Sequence, residues 1–209
     1  STIIHQIVIV SGSRDHIENT IDMFMDYIAN SRCVQPEHFL KTIARLLSIA
    51  YPFSERYEYF MEVFMNYITQ LLSTGDPVSG GIACKVIDTY ISRKNVEQQH
   101  AIRLFEIIEP YLNPEVLHRK EYIIKLYSTA AKLIVRMKYK VGDQAFERIS
   151  SLERVIPILI PTDLEFYGRE EFESACVSFE AAVLIRTACV KLFWKGSDDR
   201  LTEKNFYKE

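Results

Sequence analysis

Glycine and proline are scarce in this chain, seven of each in 209 residues. That is about half the usual glycine share, and it argues against a turn-rich all-β fold and against disorder. Cysteine is confined to four distant positions, Cys33, Cys84, Cys176 and Cys189, with no C-x-x-C and no Cys/His cluster. A disulfide framework and a zinc-binding module are therefore not expected. Each cysteine lies in an apolar pattern, which reads as a reduced, buried thiol in a cytoplasmic protein. The five histidines never fall three or four residues apart, so no His pair shares a helix face. A metal site would have to be assembled from separate helices, and none is expected.

Charge of one sign is also lacking. The net charge of −3 gives no global field to attract nucleic acid, so that partner class is unlikely on electrostatic grounds. No run approaches 18 apolar residues, and STIIHQIVIV at 1–10 is too short to span a bilayer and lacks the flanks of a signal peptide. Its opening on Ser-Thr reads as a processed start or an excised fragment. There is no G-x-S-x-G, P-loop or H-E-x-x-H, and Gly80-Gly81 lacks the following Lys-Ser/Thr of a phosphate cradle. Neither an enzyme nor a bound cofactor is expected.

What is present is helical periodicity along nearly the whole length. Ile17, Ile21, Phe24, Met25 and Ile28 follow the i, i+4, i+7 rhythm of one helix face, with Ser13 or Asp15 as candidate N-caps. Pro36 opens a second helix that stops before Pro52. A third follows Ser54, with Tyr57, Phe60, Met61, Phe64 and Ile68 inward. STGDPVSGG at 73–81 is the clearest break, and a fourth helix runs to about Arg93. Asn95 can cap a fifth. A sixth extends from Pro114 to about Lys140, a seventh covers 143–156, PILIP at 157–161 is a rigid link, and 169–195 is the longest helix. Paired, these give approximate hairpin units at 14–52, 53–94, 96–141 and 143–195. Their starts are spaced by 39, 43 and 47 residues, the period of HEAT or armadillo units, which bury their apolar faces by stacking on neighbours. The expected fold is all-α, an α-solenoid of stacked antiparallel hairpins; a compact multi-helix bundle is the alternative.

Three places are candidates for binding. Residues 114–140 carry seven Lys/Arg against two acidic residues, whereas the segments on either side are acidic. Within KLIVRMKYK and the turn before it, Lys125, Lys132 and Arg136 share a helical face and Lys138 and Lys140 sit at the helix end. This strip suits an acidic protein segment or anionic lipid headgroups, if it is more than a solvated face. In SERYEYFMEVFMNYI, Tyr59, Val63 and Tyr67 form a second strip beside the core stripe, and exposed tyrosines favour binding surfaces. Trp194, the single tryptophan, lies near the end of the long helix, as a packed residue or as a partner anchor. The expected function is a non-enzymatic helical-repeat scaffold or adaptor that binds other proteins, as a segment of a larger protein or complex. The alternative is a trafficking-type helical adaptor that makes peripheral contact with acidic membrane lipids through 119–140.

Overall fold

The computed structural model describes residues 14–30, 36–50, 54–92, 96–113, 121–137, 152–160 and 169–196, and in the last of these the side chains of 175–190. Among them every regular element is helical. In chain order these are α1 (Arg14–Asn30), α2 (Pro36–Ala50), α3 (Tyr57–Ser73), α4 (Pro77–Ile91), α5 (Gln98–Ile108), α6 (Glu121–Arg136), α7 (Ile156–Leu159) and α8 (Arg169–Gly196), with a 3-10 turn at Glu109–Tyr111. The expected seventh helix at 143–156 lies largely outside the described residues. PILIP is not a plain link: Ile156–Leu159 closes one helical turn with Pro157 in its first positions, where proline's missing N–H costs nothing.

Boundaries follow local chemistry. The α1 helix starts at Arg14, so Asp15 lies within the first turn, where a carboxylate suits the helix dipole, and does not cap it. Between α3 and α4, Gly75 adopts φ 65°, a left-handed conformation that glycine reaches without a Cβ penalty. Asp76 then caps α4, its carboxylate accepting from the Ser79 N–H at 2.8 Å, and Pro77 takes the first helical position. The residue before α5 is Glu97, and its side chain makes no capping bond.

The chain divides into two compact units, Ser1–Tyr111 and Leu112–Glu209. The division falls inside the 96–141 hairpin, so α5 belongs to the first unit and α6 to the second. In the first unit the principal packings join helices adjacent in the chain, α1 with α2, α2 with α3 and α3 with α4, and helices next but one, α2 with α4 and α3 with α5. Its core is built from the expected stripe: Tyr57, Phe60, Met61, Phe64 and Ile68 are all buried, with Leu40, Ile43 and Leu47 of α2 and Ile87 and Tyr90 of α4. The α2 and α4 helices each bury small residues, Ala44 and Ser48 on one and Gly80 and Ala83 on the other, which lets helix backbones approach closely.

In the second unit α8 packs along α6 and against α7. The α6 helix buries nearly its whole circumference, including Tyr122, Ile124, Leu126, Tyr127, Ala130, Ala131, Leu133 and Ile134. The buried side of α8 is mostly small: Ala181, Ala182, Ile185, Ala188 and Cys189.

Candidate functional site

The first unit contains a polar seam where α3, α4 and the start of α5 meet. His100, on the first turn of α5, is 1% exposed. A buried imidazole needs partners on both nitrogens, and it has them. Nε2 lies 3.1 Å from Glu58 Oε1 on α3, and Nδ1 lies 3.4 Å from the Tyr90 hydroxyl on α4. Tyr90 shares a 2.8 Å hydroxyl–hydroxyl hydrogen bond with Tyr57, whose ring centroid is 5.3 Å from the imidazole. Burial, reinforced by the neighbouring Tyr57 hydroxyl, raises the Tyr90 phenol above its ordinary value, so it stays protonated and can donate. One proton assignment satisfies the chain: Tyr57 donates to Tyr90, Tyr90 to Nδ1, and Nε2–H to Glu58.

Two further groups border the seam. Glu97 Oε2 is 3.9 Å from His100 Nδ1. Arg103, one turn further along α5, donates to Glu62 at 2.6 Å and lies 3.7 Å from Glu58 Oε2. The ligand atoms of Glu58, Glu97 and His100 all fall within 4.8 Å of one another. Tyr90 is fully buried, so its own hydroxyl is closed to a substrate, while Glu58 at the other end of the series is exposed.

The residues singled out from sequence are placed differently. Tyr59 is 57% exposed on α3, with the Arg56 guanidinium 5.6 Å from its ring centroid. Tyr67 is half-buried, and its hydroxyl donates to the Met25 carbonyl of α1 at 3.2 Å. Burial raises its phenol, and nearby Asp26 adds to that. The tyrosine strip therefore splits into one exposed ring and one ring used to join two helices. Tyr67 also borders a cleft of about 270 Å3 lined by Ile28, Pro36, Leu40 and Leu71. Lys125, Lys132 and Arg136 are half-buried on α6 and do not form an open solvent face, because the helix is packed on most sides. Lys138 and Lys140 lie outside the described residues. Trp194 falls within α8, with its side chain outside the described set.

Cysteine placement is mixed. Cys84 and Cys189 are buried, and burial pushes the Cys189 thiol up to about 11. Cys176, expected inside, is exposed and free. It lies thirteen residues from Cys189 on the same helix, roughly 20 Å away, which rules out a bridge between them. Its outward position belongs to a feature that periodicity alone did not single out. Phe179, Val183 and Val190 are also exposed, so α8 carries bulky apolar residues outward and small ones inward.

Spacing between histidines does not reveal the seam at His100, because its partners are carboxylates and a phenol. Glu97 and His100 form an i, i+3 pair, which places two ligand-bearing residues about one turn apart, and that signal was available in EQQH. Glu58 comes from 42 residues away in sequence, and no local motif could supply it. Comparisons of the chain with protein-family models, with curated proteins and with solved structures give no match. None of the described helices is long and apolar enough to cross a membrane.

Proposed function

We propose that the chain is a non-enzymatic helical-repeat scaffold or adaptor segment that binds other proteins, with the first unit built as a short stack of hairpins. The observation that carries this reading is a recurring separation. Tyr67 reaches Met25 across 42 residues, His100 reaches Glu58 across 42, and Arg103 reaches Glu62 across 41. These bonds tie α1 to α3 and α3 to α5, and Arg56, just before α3, also reaches Asp22 of α1 across 34 residues. The even-numbered helices α2 and α4 also pack together, tied by Lys85 and Glu37 across 48 residues. Ties to the helix next but one at separations between 34 and 48 residues are what stacked two-helix repeats produce, because each unit contacts mainly its neighbours.

Such stacks work by presenting side chains from successive helices on one surface. Met23, Tyr27 and Tyr59 are the large apolar residues that α1 and α3 expose, at 55%, 48% and 57%. Replacing all three by serine tests the reading. The variant is expected to keep the wild-type melting temperature and to lose the proteins that the wild-type chain retains at stoichiometric level from its native extract. An unchanged set of retained proteins, or no stoichiometric partner for wild type, contradicts the proposal.

A further inference from the structure

We propose that Glu58, Glu97 and His100 form a binding site for a divalent first-row transition metal ion of the zinc class, located at the junction of α3 and α5. The inference goes beyond the scaffold reading and does not depend on it. Three observations converge. His100 supplies a nitrogen base at the bottom of the site, itself almost wholly buried, so its ring is held by packing against Tyr57. The two carboxylates stand at the mouth, with side chains 66% and 34% exposed, so an ion can enter. Glu97 occupies the residue before a helix yet makes no capping bond with its side chain; its carboxylate lies 3.9 Å from Nδ1 of the imidazole, and the ligand atoms of the three residues fall within 4.8 Å of one another.

The geometry suits metal–ligand bonds. Zinc bonds to histidine nitrogen and carboxylate oxygen are about 2.0–2.2 Å, so two ligands on one ion lie roughly 3.0–3.4 Å apart. His100 Nε2 and Glu58 Oε1 are 3.1 Å apart. With the ion on Nε2, the ring proton resides on Nδ1 and donates to the Tyr90 oxygen, which in turn donates to Tyr57. Tyr90 then orients the ligand as an outer partner, and the change is a shift of tautomer with no net proton lost from the ring. Rotation of the Glu97 side chain carries its carboxylate from beside Nδ1 to the ion on Nε2, and water completes the coordination. Arg103 opposes the site, because its guanidinium lies 3.7 Å from Glu58, but its 2.6 Å bond to Glu62 gives it a second anchor when Glu58 turns to the metal.

The experiment uses the full chain, stripped with a chelator and titrated with zinc chloride by calorimetry and by thermal melting. Cobalt chloride serves as the spectroscopic substitute. The expected result is one ion per chain, a melting temperature that rises with zinc, and visible cobalt bands of a nitrogen–oxygen site. Glu58→Gln and Glu97→Gln each replace an exposed or half-exposed carboxylate and are expected to fold; each should weaken zinc binding by ~10-fold or more. Arg103→Gln removes the competing cation and should tighten it, a response that a purely structural hydrogen bond would not give. Absence of zinc binding at any concentration that leaves the protein soluble overturns the proposal. So does zinc binding that Glu97→Gln leaves unchanged, which would place the ion elsewhere.

Discussion

The two units press different kinds of helix surface together. In the first, helices next but one in the chain are joined by polar ties: Arg56 to Asp22 at 2.5 Å, Arg103 to Glu62, His100 to Glu58, and Lys85 to Glu37. In the second, α6 meets a face of α8 made largely of alanine, and the described ion pair, Arg186 with Glu153, lies at the surface. Polar ties contribute little free energy when exposed, but they fix which residues oppose one another. A seam of small residues gains dispersion energy from close approach. Hydrogen bonding laid over an apolar core marks the register of the first unit, and close approach of small residues contributes to packing in the second.

In the first unit the ties add specificity while burial supplies stability. Phe64 is fully buried, with its ring centroid 5.8 Å from that of Tyr90. Phe64→Ala should cost about 3–5 kcal/mol, measured by urea denaturation, because it removes a large side chain and leaves a cavity. A cost below about 1 kcal/mol would mean that the ring is not packed and that the ties carry more of the stability than assigned to them.

The second unit should fail in the opposite way, by addition. Ala188 is 1% exposed on the inner side of α8. Ala188→Leu inserts volume where helices approach closely and should cost about 1–3 kcal/mol. The adjacent exposed position is the control: Thr187→Leu should change stability by no more than about 0.5 kcal/mol. Equal effects at both positions would show that the seam has room to spare.

The difference between the units also explains how much was legible beforehand. Helix positions in the first unit followed from apolar spacing, because Ile17, Ile21, Phe24 and Met25, or Phe60, Phe64 and Ile68, alternate with charged residues that face water. The α6 helix misled in one respect. Its cations are interleaved with apolar residues, and long stems let Lys125, Lys132 and Arg136 sit half-buried on a packed helix while the wheel suggested an open strip. On α8, Phe179, Val183 and Val190 share one phase with Cys176 and the alanines share another. Periodicity shows that such phases exist but not which one faces inward. The polar seam was the least legible part, since Glu58, Tyr90 and His100 come from three helices and meet only after folding.

The smallest expected effect concerns a single tie, and pH separates it from the rest. The Glu37 carboxylate, on the first turn of α2, accepts from Lys41 at 2.6 Å and from Lys85 of α4. The Lys41 hydrogen bond is the main cause that holds this carboxyl below its ordinary range, with both lysine charges helping and partial burial opposing. A carboxyl whose folded pKa is depressed binds its proton less readily in the native state than in the unfolded chain. Its stabilising contribution is therefore fully present above the unfolded value, about 4.3, and is lost as pH falls through the folded value. Glu37→Gln keeps the size and removes the charge. Urea midpoints should show the variant less stable than wild type at pH 7 by a few tenths of a kcal/mol up to about 1, since the lysines are partly exposed. The gap should close as the pH is lowered toward about 3. A gap that stays constant with pH would assign the loss to packing of the side chain, and the charge at this tie would then contribute nothing measurable to joining α2 and α4.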